Sequence, residues 1–61
     1  MYSVNWNGLE RTFGTKAAAL AFSESLKEAD YGSDVWSEID GNLELVQTIM
    51  YNPFTGEYEY S

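Results

Sequence analysis

Residues 35 to 60 hold most of the strand-forming side chains in this sequence, and two turn signals cut that stretch into three. Val35, Ile39, Leu43, Leu45, Ile49, Tyr51, Tyr58 and Tyr60 supply the strands, and Asp40-Gly41-Asn42 and Asn52-Pro53-Phe54-Thr55-Gly56 separate them. The pattern predicts a three-stranded antiparallel meander. Everything upstream is then material for covering one of its faces.

The upstream segment opens with its own hairpin. Asn7-Gly8 lies between Tyr2–Trp6 and Leu9–Phe13, and an Asn-Gly pair readily takes the positive φ angles of a two-residue type I′ turn. That loop sets Trp6 opposite Leu9, Val4 opposite Arg11 and Tyr2 opposite Phe13, which gathers the large apolar groups on one face. Ser3, Asn5, Glu10 and Thr12 fall on the other. Thr15 follows as a helix N-cap, and Lys16 to Ala29 contains no Gly, Pro or β-branched residue. Ala18, Ala19, Phe22, Leu26 and Ala29 recur at helical spacing and are expected to face the sheet. Ser23, Glu24, Lys27 and Glu28 are expected to face water, with Leu20 at the margin. Gly32 is the expected left-handed C-terminal cap.

Two registers compete at the first meander turn. A two-residue Asp40-Gly41 loop sets Glu38 opposite Leu43 and mixes polar with apolar groups. A three-residue loop through Asn42 sets Ile39 opposite Leu43 and Ser37 opposite Leu45, collecting Val35, Ile39, Leu43 and Leu45 on one inward face. The second is preferred on pattern, although it places Glu38 opposite Glu44. The last turn sets Tyr51 opposite Tyr58 and Ile49 opposite Tyr60, with Pro53 early in the turn and Gly56 in a left-handed bulge. The expected order is ββαβββ. This is one α+β domain over residues 1–61, a single helix on an antiparallel sheet.

Charge narrows the function classes. The 61 residues carry a net charge of −7 with only 3 basic side chains, Arg11, Lys16 and Lys27, all before residue 28. The meander half is purely acidic, which disfavours direct binding to nucleic acid or anionic membrane and favours a protein partner with a basic surface. Without His or Cys, the commonest metal ligands and general bases are missing. The carboxylate pair Glu38 and Glu44 lacks the pocket that would raise one pKa. Asp30, Asp34, Glu38, Asp40 and Asn42 do not follow a calcium-loop spacing. The expectation is therefore a protein without catalytic, metal or cofactor chemistry. With no leader-like or membrane-spanning stretch, the expected location is the cytoplasm.

In the preferred register the outward meander face carries Trp36, Val46 and Met50 among Glu38, Glu44, Glu57 and Glu59. Those seven residues are the candidate partner-binding site, an apolar strip with an acidic rim. The leading functional expectation is an inhibitor that docks on a basic, nucleic-acid-binding surface, of the kind a phage or mobile element directs against a host nuclease or defence complex. The alternative is a self-associating module, a homodimer paired through the outer sheet face or an edge strand.

Overall fold

A computed structural model describes residues 1–61. Its strands are β1 (Tyr2–Trp6), β2 (Leu9–Phe13), β3 (Ser33–Ile39), β4 (Asn42–Asn52) and β5 (Glu57–Tyr60), with helix α1 (Lys16–Ser25) and a 3-10 turn (Leu26–Ala29) between β2 and β3. All five strands form one antiparallel sheet in the order β2-β1-β3-β4-β5, and the helix packs on one face of it. This is the expected α+β fold.

Local turn chemistry accounts for both outer hairpins. Asn7 and Gly8 adopt φ 45° and 77°, and the pairs Trp6–Leu9, Val4–Arg11 and Tyr2–Phe13 follow. At the far end Gly56 takes φ 74°, its N–H donates to the Asn52 carbonyl at 2.8 Å, and Tyr51 and Tyr58 pair, as do Ile49 and Tyr60.

The middle turn departs from expectation. Asp40 and Gly41, at φ 51° and 81°, form the two-residue loop, so Ile39 pairs with Asn42, Glu38 with Leu43 and Ser37 with Glu44. Glu38 and Glu44 therefore point to opposite faces, and the like-charge pairing that the three-residue loop would have imposed is avoided. Taken alone, this register would turn the rest of β4 inside out. A β-bulge prevents that, because the register shifts between Val35 and Trp36, which pair with Gln47 and Leu45 and leave Val46 as the extra residue. Beyond the bulge Ile49 points to the helix and is buried. Before it, Leu43 and Leu45 share the outer face with Glu38 and Trp36. Ile39 stays on the helix side but lies exposed near the hairpin tip. The expected inward set of Val35, Ile39, Leu43 and Leu45 thus reduces to Val35 as a buried residue.

The core is small. Val4, Ala19, Leu26 and Val35 are its buried apolar cluster, with Tyr2, Trp6, Phe13, Leu20, Phe22 and Val46 packed around it. Burying each Val, Leu or Ile contributes about 1.5–3 kcal/mol, so the surrounding aromatics carry much of the burden. Phe22 meets Trp6 edge-on at 5.0 Å and Phe13 at 5.3 Å between ring centroids.

The helix begins as expected, with the Thr15 hydroxyl accepting from the Ala18 N–H at 3.2 Å. Its rotation differs from expectation. Ser23 is buried, whereas Ala18 and Ala29 are exposed. The reason is a polar partner, since the Ser23 and Ser33 hydroxyls hydrogen-bond to each other within the core. A helix face containing two small residues, Ala19 and Ser23, can approach the sheet closely, and a satisfied hydroxyl can be buried at little cost. The C-terminal cap is Asp30, left-handed at φ 62°. Gly32 is needed for a different reason. A β-carbon there would meet the Ile49 carbonyl oxygen at 2.5 Å.

Candidate binding face

Strand register divides the polar surface between the two faces of the sheet. On the face away from the helix, cross-strand rows run Thr12–Ser3–Trp36–Leu45 and Glu10–Asn5–Asp34–Thr48. Glu38 beside Leu43 lies on one flank of these rows; Met50 beside Glu59 and Asn52 beside Glu57 lie on the other. This face carries the carboxylates Glu10, Asp34, Glu38, Glu57 and Glu59 without a Lys or Arg. All three basic side chains belong to the other side. Arg11 lies over the Phe13 and Phe22 rings at 5.3 and 5.1 Å, Lys27 lies over Tyr58 and Tyr60, and Lys16 begins the helix near Tyr2 and Glu44.

The expected site residues do not all meet. Trp36, Glu38, Met50, Glu57 and Glu59 occupy the outer face as expected. Glu44 and Val46 do not. Glu44 pairs with the buried Ser37, and Val46 packs against the core because the bulge turns it inward. The strip is also interrupted, since Met50 lies two rows from Trp36, about 13 Å at ~3.3 Å per residue, with Asp34 and Thr48 between them. Trp36 instead has Leu43 and Leu45, 66% and 47% exposed, as apolar neighbours. Both leucines belong to the candidate site, whereas the apolar pattern of the sequence places them in the core. Asp-Gly as a preferred two-residue turn, together with the like-charge cost of the rival register, was the available signal.

Trp36 lines a cleft of about 320 Å³ with Met1, Ser3, Asn5, Glu10, Thr12, Glu38, Gly41 and Leu43. Three or more Asp or Glu side chains do not converge anywhere at metal-binding distance. No helix is long and apolar enough to cross a membrane. Comparison with family models, curated proteins and solved structures returned no match.

On the helix side, Glu24, Lys27 and Tyr60 form a compact polar network. The Tyr60 hydroxyl donates to the Glu24 carboxylate at 2.6 and 2.9 Å, and Lys27 Nζ donates to the Tyr60 oxygen at 2.6 Å. Lys27 also pairs with Glu24 at 3.0 Å. The Tyr60 hydrogen bond, followed by that of Lys27, holds the Glu24 carboxyl below its ordinary pKa. Tyr60 and then Glu24 raise the Lys27 ammonium above its own. Desolvation raises the Tyr58 phenol, whose hydroxyl donates to the Lys27 carbonyl at 3.0 Å. These contacts tie β5 to the end of the helix, so the network is explained as structure.

Proposed function

We propose that this protein is a non-catalytic binding module whose outer sheet face docks on a basic surface of another protein. The segregation of charge carries this reading: one face holds five carboxylates and an aromatic-aliphatic cluster, and every Lys and Arg lies on the other. Trp36, Leu43 and Leu45 supply apolar contact at one end of that face. Glu10, Asp34, Glu38, Glu57 and Glu59 surround and extend it, so approach to a cationic surface is accelerated and approach to nucleic acid is opposed.

A basic surface that evolved to hold phosphates presents the complementary field, and a rigid acidic sheet face can occupy it. The reading therefore extends to an inhibitor of a nuclease or defence complex, acting by competition with nucleic acid inside the cell. Self-association through the same face would set the carboxylates of one copy against those of the next, which favours a different partner.

Affinity capture tests this, using the wild-type chain beside a variant with Glu10, Asp34, Glu38, Glu57 and Glu59 changed to Gln. The expected result is a nucleic-acid-handling protein retained by the wild type, lost with the variant and released by added duplex DNA. Equal retention by both baits, or sedimentation of the protein alone as a dimer that buries Trp36, would overturn the reading.

A further inference from the structure

We infer that the cleft over Trp36 receives an arginine side chain of the partner. This inference rests on the reading of the outer face as a surface for a basic protein, and it deepens that reading by naming the group recognised. The site is concave, about 320 Å³; a second, shallower hollow at the Asn7-Gly8 turn shares Asn5 and Glu10 with it but does not include Trp36 or Glu38. Trp36 is the aromatic residue of the cleft's lining, and register places Glu10 and Glu38 on either side of the Trp36 row, one toward β2 and one toward the β3–β4 turn.

The polar groups of this cleft are unspent. None of the side chains of Ser3, Asn5, Glu10, Thr12, Trp36 or Glu38 enters a hydrogen bond or ion pair within the chain. At the rim, the Met1 ammonium donates at 3.3 Å to the backbone carbonyl of Glu38, which leaves that residue's carboxylate free.

Two carboxylates against the single Met1 ammonium at the rim leave the cleft net negative, and an indole with a carboxylate on each side and several neutral acceptors matches guanidinium chemistry more closely than ammonium chemistry. A guanidinium is planar, permanently charged and weakly hydrated, so it stacks on an indole while its edge donors reach carboxylates on two sides. An ammonium is a compact, strongly hydrated point charge that one carboxylate satisfies. Neither a phosphate nor an acidic peptide fits between Glu10 and Glu38.

The test titrates the protein with N-acetyl-arginine amide and, separately, N-acetyl-lysine amide at low salt. Backbone amide shifts are followed in the wild type, and indole fluorescence in a Trp6→Phe variant that leaves Trp36 as the reporter. Saturable shifts confined to the cleft are expected, with arginine binding at least about threefold tighter than lysine, as stacking and paired donors require. Glu10→Gln with Glu38→Gln should weaken arginine binding about tenfold or more, as loss of charge-assisted hydrogen bonds implies. Linear, unsaturable shifts, equal response to lysine, or an unchanged double variant would overturn the inference. The wild-type shifts decide even if Trp6→Phe unfolds. The two readings separate in one further comparison. A basic protein that binds the double variant as tightly as the wild type sinks the arginine cleft and leaves the docking face standing. Arginine amide that saturates the cleft, with no basic protein bound to the face, does the reverse.

Discussion

Ser23 on the helix and Ser33 at the start of β3 satisfy each other's hydroxyl inside the core, with 1% and 5% of their surfaces exposed. Removing either oxygen strands the other. Ser23→Ala and Ser33→Ala should each cost about 1–3 kcal/mol, the usual penalty for a buried hydroxyl without a partner. The double Ala variant should recover part of that loss. A cycle from thermal or urea unfolding checks it, and strict additivity would show that the two groups are not coupled.

Two glycines test close approach against conformational freedom. Gly32→Ala must displace the Ile49 carbonyl, because the added carbon would sit 2.5 Å from its oxygen. Backbone cannot yield there without opening β4, so a loss of about 1–3 kcal/mol is expected, the range of overpacking changes. Gly14→Ala enters open space at a φ outside the left-handed region, so it should be neutral or stabilise by up to about 1 kcal/mol. Melting temperatures that moved together would remove the close-packing argument.

Acid and alkali should attack the same helix-to-β5 contact from opposite sides. The Glu24 carboxyl is lowered from 4.5 by Tyr60 and Lys27, so its contribution is present above that pH and is lost as pH falls through the lowered value. Lys27 is raised from 10.5 by Tyr60 and Glu24, and Tyr58 from 10.0 by desolvation. Their contributions are present below those values and are lost as pH rises through the raised ones. Melting temperature measured across both limbs should fall at each end. Lys27→Met should flatten the lysine part of the alkaline limb, and a curve unchanged by that substitution would remove the network from the account of stability.

Trp36 and Val46 lie on opposite faces, and substitution should separate them. Val46→Ala should lower stability by about 0.5–2 kcal/mol as a partly buried truncation. Trp36→Ala, a half-buried truncation on the open face, should leave the chain folded while weakening partner binding by about 2 kcal/mol or more, mostly through faster dissociation. A Trp36→Ala variant that unfolds would reassign that residue to the core.

Glu38 and Glu44 make the matching test for charge. Glu38→Lys should slow association with a basic partner and flatten its salt dependence through lost steering within a Debye length of roughly 10 Å at 0.1 M salt, and should also speed dissociation because Glu38 lines the cleft. Glu44→Lys, on the helix side, should do less. Equal effects on the association rate would show that the whole acidic field steers the partner and not one face of it.

Local chemistry made much of the fold readable from the sequence. Asn7-Gly8 and the Asn52–Gly56 turn each dictate a register through backbone conformations that few residues adopt, and both registers stand in the structure. Thr15 caps the helix for an equally local reason. The acidic bias of the second half is likewise a property of composition. What lay outside the reach of local rules was the pairing of β3 with β4. The Asp40-Gly41 pair and the avoided Glu38–Glu44 pairing favour the two-residue loop locally, but that loop keeps Ile49 inward only with a bulge at Val46, which arises in the pairing of β4 with β3.

The sequence by itself therefore determined the elements, the outer hairpins and the sign of the surface charge, because each follows from neighbouring residues or from a sum. Tertiary structure alone decided that Glu44 and Val46 turn to the helix side, that Leu43 and Leu45 join Trp36 on the outside, and that Ser23 turns inward to Ser33. A strand's period of two makes that division inevitable, since one extra residue at a bulge exchanges its faces, and only contacts distant in sequence determine where that residue falls.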